Sequence, residues 1–262
     1  MNIVRIFISI LRVVIGTILV FLLIFDRSAI ALSLEQRIEQ FPQWQNKPSV
    51  QAAKGDLVYP EWMAGTWQVT STLKEQVAPL APDIITPGFE ASQKDVNKPY
   101  KFTVRFGKQD LATPAKPLWF RQNNYIVADR AFNGKQIAQA YLGKDNVLTV
   151  KVDPDNPNKQ ITKLKGDRRF SAKVTGRAKE IPEPNKFIAT EITQQLFRSQ
   201  ERIYLNEVET TSVYHLLPSA EIEAEQITAI YLSPQDPDYF TAAGRPVALY
   251  RYHLDLEKIA FN

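Results

Sequence analysis

Cysteine is absent from the chain, which excludes a disulfide framework, a thiolate metal site and a cysteine nucleophile. Histidine is nearly absent. Only His215 and His253 occur, so a zinc site would need mostly carboxylates, an uncommon donor set, and no transition metal is expected. Charge of one sign is also scarce: the formal net charge is +4, and removing residues 1–31, with Arg5, Arg12, Arg27 and Asp26, leaves +2. Such an excess is too small to imply nucleic acid as a partner. What remains is an ordinary globular balance, 44% hydrophobic and 23% charged over 262 residues. That length can bury a core without disulfide staples and commonly forms one β domain.

The one long apolar run stands at the N-terminus. Arg5 and Arg12 precede residues 13–25 (VVIGTILVFLLIF), and Ala29-Ile30-Ala31 offers the small-x-small pattern that a signal peptidase accepts. Residues 1–31 are therefore expected to be a signal peptide cut after Ala31. The alternative is an uncleaved tether over residues 6–25, which would put Arg12 in the bilayer at a cost of up to about 3 kcal/mol. No arginine pair precedes the run, which favours the general secretory route.

Residues 32–60 read as an N-terminal flap with one short helix, on Leu34, Ile38 and Phe41 at i, i+4 and i+7, stopped by Pro42. From Trp67 onward the period becomes two. Phe102, Val104 and Phe106 alternate with Lys101, Thr103 and Arg105 as in a half-buried strand. Further strands are expected over residues 147–152, 161–165, 170–178, 187–197, 203–217, 222–231 and 246–256. The tips DPDNPN (153–158) and EIPEPN (180–185) turn the chain between them. Residues 125–142 read as a tight hairpin about Asn133-Gly134, with Asp129 opposite Ala138 and Tyr125 opposite Leu142. About eight to ten strands with short turns make residues 61–262 an all-β, antiparallel barrel domain, a two-sheet sandwich being the alternative.

Residues 59–67, YPEWMAGTW, run into the alternating Val69, Ser71 and Leu73 and resemble the Gly-x-Trp opening of lipocalin-like (calycin) barrels. The resemblance implies that Trp67, with Gly65 before it, closes the barrel floor and that Arg251 of the last strand packs over the indole. The strings APLAPDIITPGFEA, VADRAF and GRPVALYRYHLDLE are similar to an uncharacterised domain family shared by cyanobacteria and plant chloroplasts, over most of residues 57–257. That likeness implies a periplasm or thylakoid lumen and brings no activity.

Candidate site residues follow from the barrel reading. Residues 72–99, rich in proline, form a connection long enough to serve as a lid, with Phe89 the residue to test first. Asp129 falls on the small, mostly apolar face of the expected hairpin, either as a polar anchor in a ligand cavity or as half of a structural ion pair. Tyr250 and Tyr252 share the core face of the last strand with Leu254 and Leu256, while Arg251, His253 and Asp255 share the other. His253 beside Asp255 finds no nucleophile, so no catalytic residue is nominated. The polar turn at Asp153, Asp155, Asn156 and Asn158 lacks the EF-hand glycine and terminal carboxylate. The basic stretch from Lys163 to Lys173 is interrupted by Asp167 and reads as a solvated hairpin.

The leading expectation is an exported binding protein for a small apolar or amphipathic ligand held by Trp67, Phe89, Asp129, Tyr250 and Tyr252, with no cofactor. A second reading is an accessory or assembly factor that binds a membrane protein complex through its outer face or flap. A third is a pigment-modifying lyase or isomerase on a calycin-like barrel.

Overall fold

The computed structural model describes residues 32–110 and 124–259. The expected signal peptide and the alternative tether lie outside these residues. Within them the chain is an antiparallel, strongly curled sheet, as the period-two reading requires. Its strands are β1 (Gln51–Ala52), β2 (Gly65–Val77), β3 (Pro99–Asp110), β4 (Asn124–Ala128), β5 (Val147–Asp153), β6 (Asn156–Leu164), β7 (Arg168–Glu183), β8 (Lys186–Arg198), β9 (Ile203–Leu216), β10 (Ile222–Leu232) and β11 (Ala248–Lys258). They run in the order β4-β3-β2-β11-β10-β9-β8-β7-β6-β5, with β1 paired to β7. The meander of hairpins from β5 to β11 returns to β2, so the first long strand pairs the last. Among the described residues no pairing joins β4 to β5, and the sheet is a half-barrel with one open seam.

A helix fills that seam. The residues expected to form a hairpin about Asn133-Gly134 instead form β4 followed by helix α3 (Arg130–Leu142), which packs against β3, β5 and β6. The other helices are α1 (Leu34–Glu39), α2 (Phe89–Ser92) and α4 (Tyr239–Ala242). The physical reason for the difference lies in three side chains. Asp129 accepts from the Phe132 amide at 3.1 Å and N-caps the helix. Asn133 Oδ1 accepts from the Arg105 amide at 2.7 Å and its Nδ2 donates to the Arg105 carbonyl at 3.0 Å, so an asparagine side chain takes the place of the next strand residue. Gly134 admits Gln160 of β6, whose Nε2 donates to the Arg130 carbonyl at 2.6 Å and would collide with any Cβ there. The Asn-Gly pair thus ties a helix to both lips of the seam rather than making a type I′ turn.

Alternation gives the sheet two buried faces along its middle. Inward stand Trp67, Val69, Phe102, Val104, Phe106, Phe187 and Leu256. On the outer face the flap lies down: Leu34 packs with Ile188 and Val213, and Trp44 packs with Ile227, Tyr231 and Leu249. Ser33 opens α1 with a capping box through Gln36. The anchor is Arg37, whose Nε lies 2.6 Å from Glu209 Oε1 and whose guanidinium rests 4.3 Å over the Trp44 ring. Glu209 is fully buried and also accepts from the Trp44 indole, the Tyr231 hydroxyl and the Thr211 hydroxyl. A buried pair is tolerable where every lone pair is met, as here.

The proline-rich connection is shorter than expected. β2 continues to Val77, and the residues that follow are pinned to one end of the sheet, with Ile84 against Leu232 and Val247 and with Phe89 of α2 against Tyr250. Gln76 Nε2 holds the Phe89 carbonyl at 3.1 Å. The two polar tips expected at 153–158 and 180–185 do join β5 to β6 and β7 to β8.

Candidate functional site

The curl of the sheet leaves a space beneath α3. Its larger chamber, about 350 Å³, is walled by Val69, Phe102, Val104 and Phe106 on one side and by Tyr252, Leu254 and Leu256 on the other, with Ile137 and Tyr141 of α3 as its roof. These seven side chains come from the inward alternate positions of β2, β3 and β11, so the same periodicity that makes these strands also makes much of the chamber wall. A second chamber, about 290 Å³, opens beside it under the N-terminal half of α3 and is lined by Arg130, Gln160, Glu191, Thr210, Ser212 and Gln226, among others. Tyr59, Asn133, Ile137, Tyr214 and Gln226 line both, so an apolar and a polar chamber adjoin along these side chains, and the two together are called the lumen. The volumes match those of small-molecule sites, and an apolar wall with a few convergent polar groups is their usual chemistry.

The polar end has a defined electrostatic core. Glu191 of β8 faces Arg177 of β7 across the ladder, with Arg177 Nη2 at 2.7 Å from Oε1. Arg130 approaches the same oxygen at 3.8 Å. Arg177 is otherwise engaged, donating to the Gly55 carbonyl and to Asn158 Oδ1. Burial pushes the Tyr59 phenol well above its ordinary range, with Tyr214 and Glu191 adding to the rise and Arg130 and Arg177 opposing it. Burial raises Tyr214 as well, partly offset by a hydrogen bond with Ser212. Both phenols therefore stay neutral donors at physiological pH.

The roof is latched at its C-terminal end. Tyr141 stacks on Tyr100 at 4.6 Å between ring centres and its hydroxyl lies 3.0 Å from Ser71 Oγ. Ile137 and Tyr141 nevertheless stay more than a third exposed, so the lumen is only partly enclosed beneath the helix.

The residues singled out in the sequence are distributed unevenly about this lumen. Tyr252 lines the apolar chamber. Tyr250 stands at the same end of the sheet but packs with Leu73, Ala248 and Phe89, outside the residues that line either chamber. Asp129 is no interior anchor: its side chain caps α3 and meets Arg105 at 3.4 Å near the surface. The carboxylate of the interior is Glu191.

Trp67 is 1% exposed, donates to the Met63 carbonyl at 2.8 Å, and closes the core beside the apolar chamber. The cation over its ring is Lys258, at 5.3 Å, because the register of β11 on β2 sets Lys258 opposite Trp67. Arg251 points to the outer face, where it pairs with Glu225 at 2.9 Å and lies near the Phe41 ring. Gly65 makes the Lys258 arrangement possible: its φ is +129°, and a Cβ would sit 2.9 Å from Lys258 Cε.

Tyr59, Arg130, Ile137, Tyr141, Glu191 and Tyr214 were not singled out from the sequence. Glu191 carried a readable signal, a carboxylate interrupting the inward set Phe187 and Ala189 on a strand. Helical spacing could have grouped Asn133, Ile137 and Tyr141, had the Asn-Gly pair not suggested a turn.

His253 sits on the outer face, 3.0 Å from Asp255 and 3.7 Å from Glu223. Among the described residues no three histidine or carboxylate groups converge to hold a metal ion, and no helix is long and apolar enough to cross a membrane. A family model described as a domain of unknown function (DUF6816) matches residues 51–260. No curated protein and no solved structure matches the chain.

Proposed function

Because the chain belongs to the DUF6816 family, whose description assigns no activity, we propose its function from the site: an exported binding protein that holds one small amphipathic molecule between the curled sheet and α3. The observation that carries this reading is the pair of adjoining chambers, an apolar one walled by Val69, Phe102, Leu254 and Leu256 and a polar one around Glu191. A packed scaffold would fill this volume with side chains, since interiors close to crystal density where nothing needs the space.

The flap gives no comparable support to protein docking. Its apolar residues Leu34, Ile38, Phe41 and Trp44 are already spent on the outer face of its own sheet. The export half of the proposal rests on Arg5, Arg12, the apolar run at 13–25 and Ala29-Ile30-Ala31.

The test is native mass spectrometry of the full-length gene product purified from its own host, with solvent extraction of the same sample and sequencing of its N-terminus. A bound mass that leaves on extraction, and a chain that begins at Leu32, are the expected results. Protein that never carries or takes up a small molecule would overturn the binding reading, and an N-terminus at Met1 would overturn the cleavage.

A further inference from the structure

We propose that the molecule held in this lumen carries a single anionic head group, a carboxylate in the simplest case, seated on Arg130 with its apolar tail in the aromatic chamber. The inference rests on the ligand-binding reading above and adds the chemistry of the head. Its basis is a charge count that does not cancel. Among the described residues that line the two chambers, Glu191 is the one carboxylate and Arg130 the one guanidinium. Glu191, however, is already neutralised by Arg177, which lies within hydrogen-bonding distance at 2.7 Å. Arg130 is therefore a surplus cation, at 3.8 Å from a carboxylate that has a closer partner.

Its donors are also unspent. The Arg130 side chain is about four-fifths buried, yet its guanidinium makes no hydrogen bond to any described residue and its five N–H groups face the accessible space of the chamber. A planar fork with free donors at the wall of a half-dry cavity suits a carboxylate, which it can grip through two parallel bonds. The groups beside it, Thr210, Ser212 and Gln226 with the neutral phenols of Tyr59 and Tyr214, add hydrogen-bonding capacity without adding negative charge. A cationic head would meet Arg130 with like charge, and a neutral head would leave it unpaired.

Titration calorimetry on delipidated full-length protein, with dodecanoate and dodecan-1-ol as matched probes, tests this directly. The wild type is expected to bind dodecanoate about tenfold or more tighter than the alcohol, the margin that a charge-assisted pair supplies. Arg130→Gln is expected to erase that preference, lowering dodecanoate affinity about tenfold more than dodecan-1-ol affinity. Glu191→Gln, which frees Arg177 as well, is expected to raise dodecanoate affinity, a gain that a damaged fold could not produce. Equal binding of the two probes by the wild type, or a preference that survives Arg130→Gln, overturns the head-group inference. If that equal binding is also lost in Leu254→Trp, which fills the apolar chamber, the lumen reading stands alone. Binding of neither probe overturns both.

Discussion

At the scale of single residues, the corner where β2 begins is built from a glycine at φ +129°, a buried indole and a lysine 5.3 Å over that ring. Gly65 and Trp67 were legible because a Gly-x-Trp before an alternating strand is distinctive, yet the cation on the indole is Lys258 rather than Arg251. Which side chain arrives there depends on the β2 to β11 register, and the shift between Arg251 and Tyr252 cannot be seen in letters alone. Gly65 lets the chain turn at that corner with Lys258 close by. Gly65→Ala should cost about 1–3 kcal/mol in urea unfolding, because φ of +129° strains any side chain. The double variant with Lys258→Ala should recover only the part due to contact. A larger cost attaches to Glu209. Replacing it with alanine leaves Arg37 buried without its partner and should destabilise the protein by about 3–5 kcal/mol, whereas breaking an exposed pair such as Lys98 with Asp95 should change stability little. The flap's hold on the sheet was not legible from sequence, since nothing in residues 32–60 announces a partner 172 positions away.

At the scale of elements, strands were read well and the decisive helix was not. Period two survives in β3, β8 and β11 because one face of each looks into the lumen, and the tips at 153–158 and 180–185 follow from proline with asparagine or carboxylates. α3 was obscured by a local signal that tertiary structure overrode: Asn133 and Gly134 answer to Arg105 and Gln160, which are remote in sequence. Asn133→Ala should therefore loosen the seam rather than a turn. We expect a loss of about 1–3 kcal/mol, from the Arg105 amide left unmet while its carbonyl still accepts from the Asp129 amide, and faster hydrogen exchange at the Arg105 amide. Unchanged protection at Arg105 would contradict the role given to the asparagine.

At the scale of the molecule, a half-barrel with a helix across its seam leaves an interior that is neither filled nor open. It also makes the protein sensitive to alkali. Burial is the first cause holding the Tyr59, Tyr214, Tyr231 and Tyr252 phenols above their ordinary range. A folded-state pKa above the unfolded one means that the native chain keeps protons the unfolded chain gives up. This stability is complete below the unfolded value of about 10 and is lost as pH rises above it toward the folded values. Urea midpoints should therefore hold up to about pH 10 and fall above it, with the tyrosinate absorbance of these four buried phenols appearing as the chain unfolds. A fully exposed set of tyrosines would ionise before unfolding.

A ligand on the inner face of the sheet beneath α3 is separable by methyl NMR from one on the outer face, because strand alternation gives the two faces different methyl groups. With dodecanoate bound, nuclear Overhauser contacts from its chain are expected to Val69, Val104, Ile137, Leu254 and Leu256, which line the apolar chamber. Contacts confined to Val213, Ile227 and Leu249, which lie beneath the flap on the outer face, would contradict the inner placement.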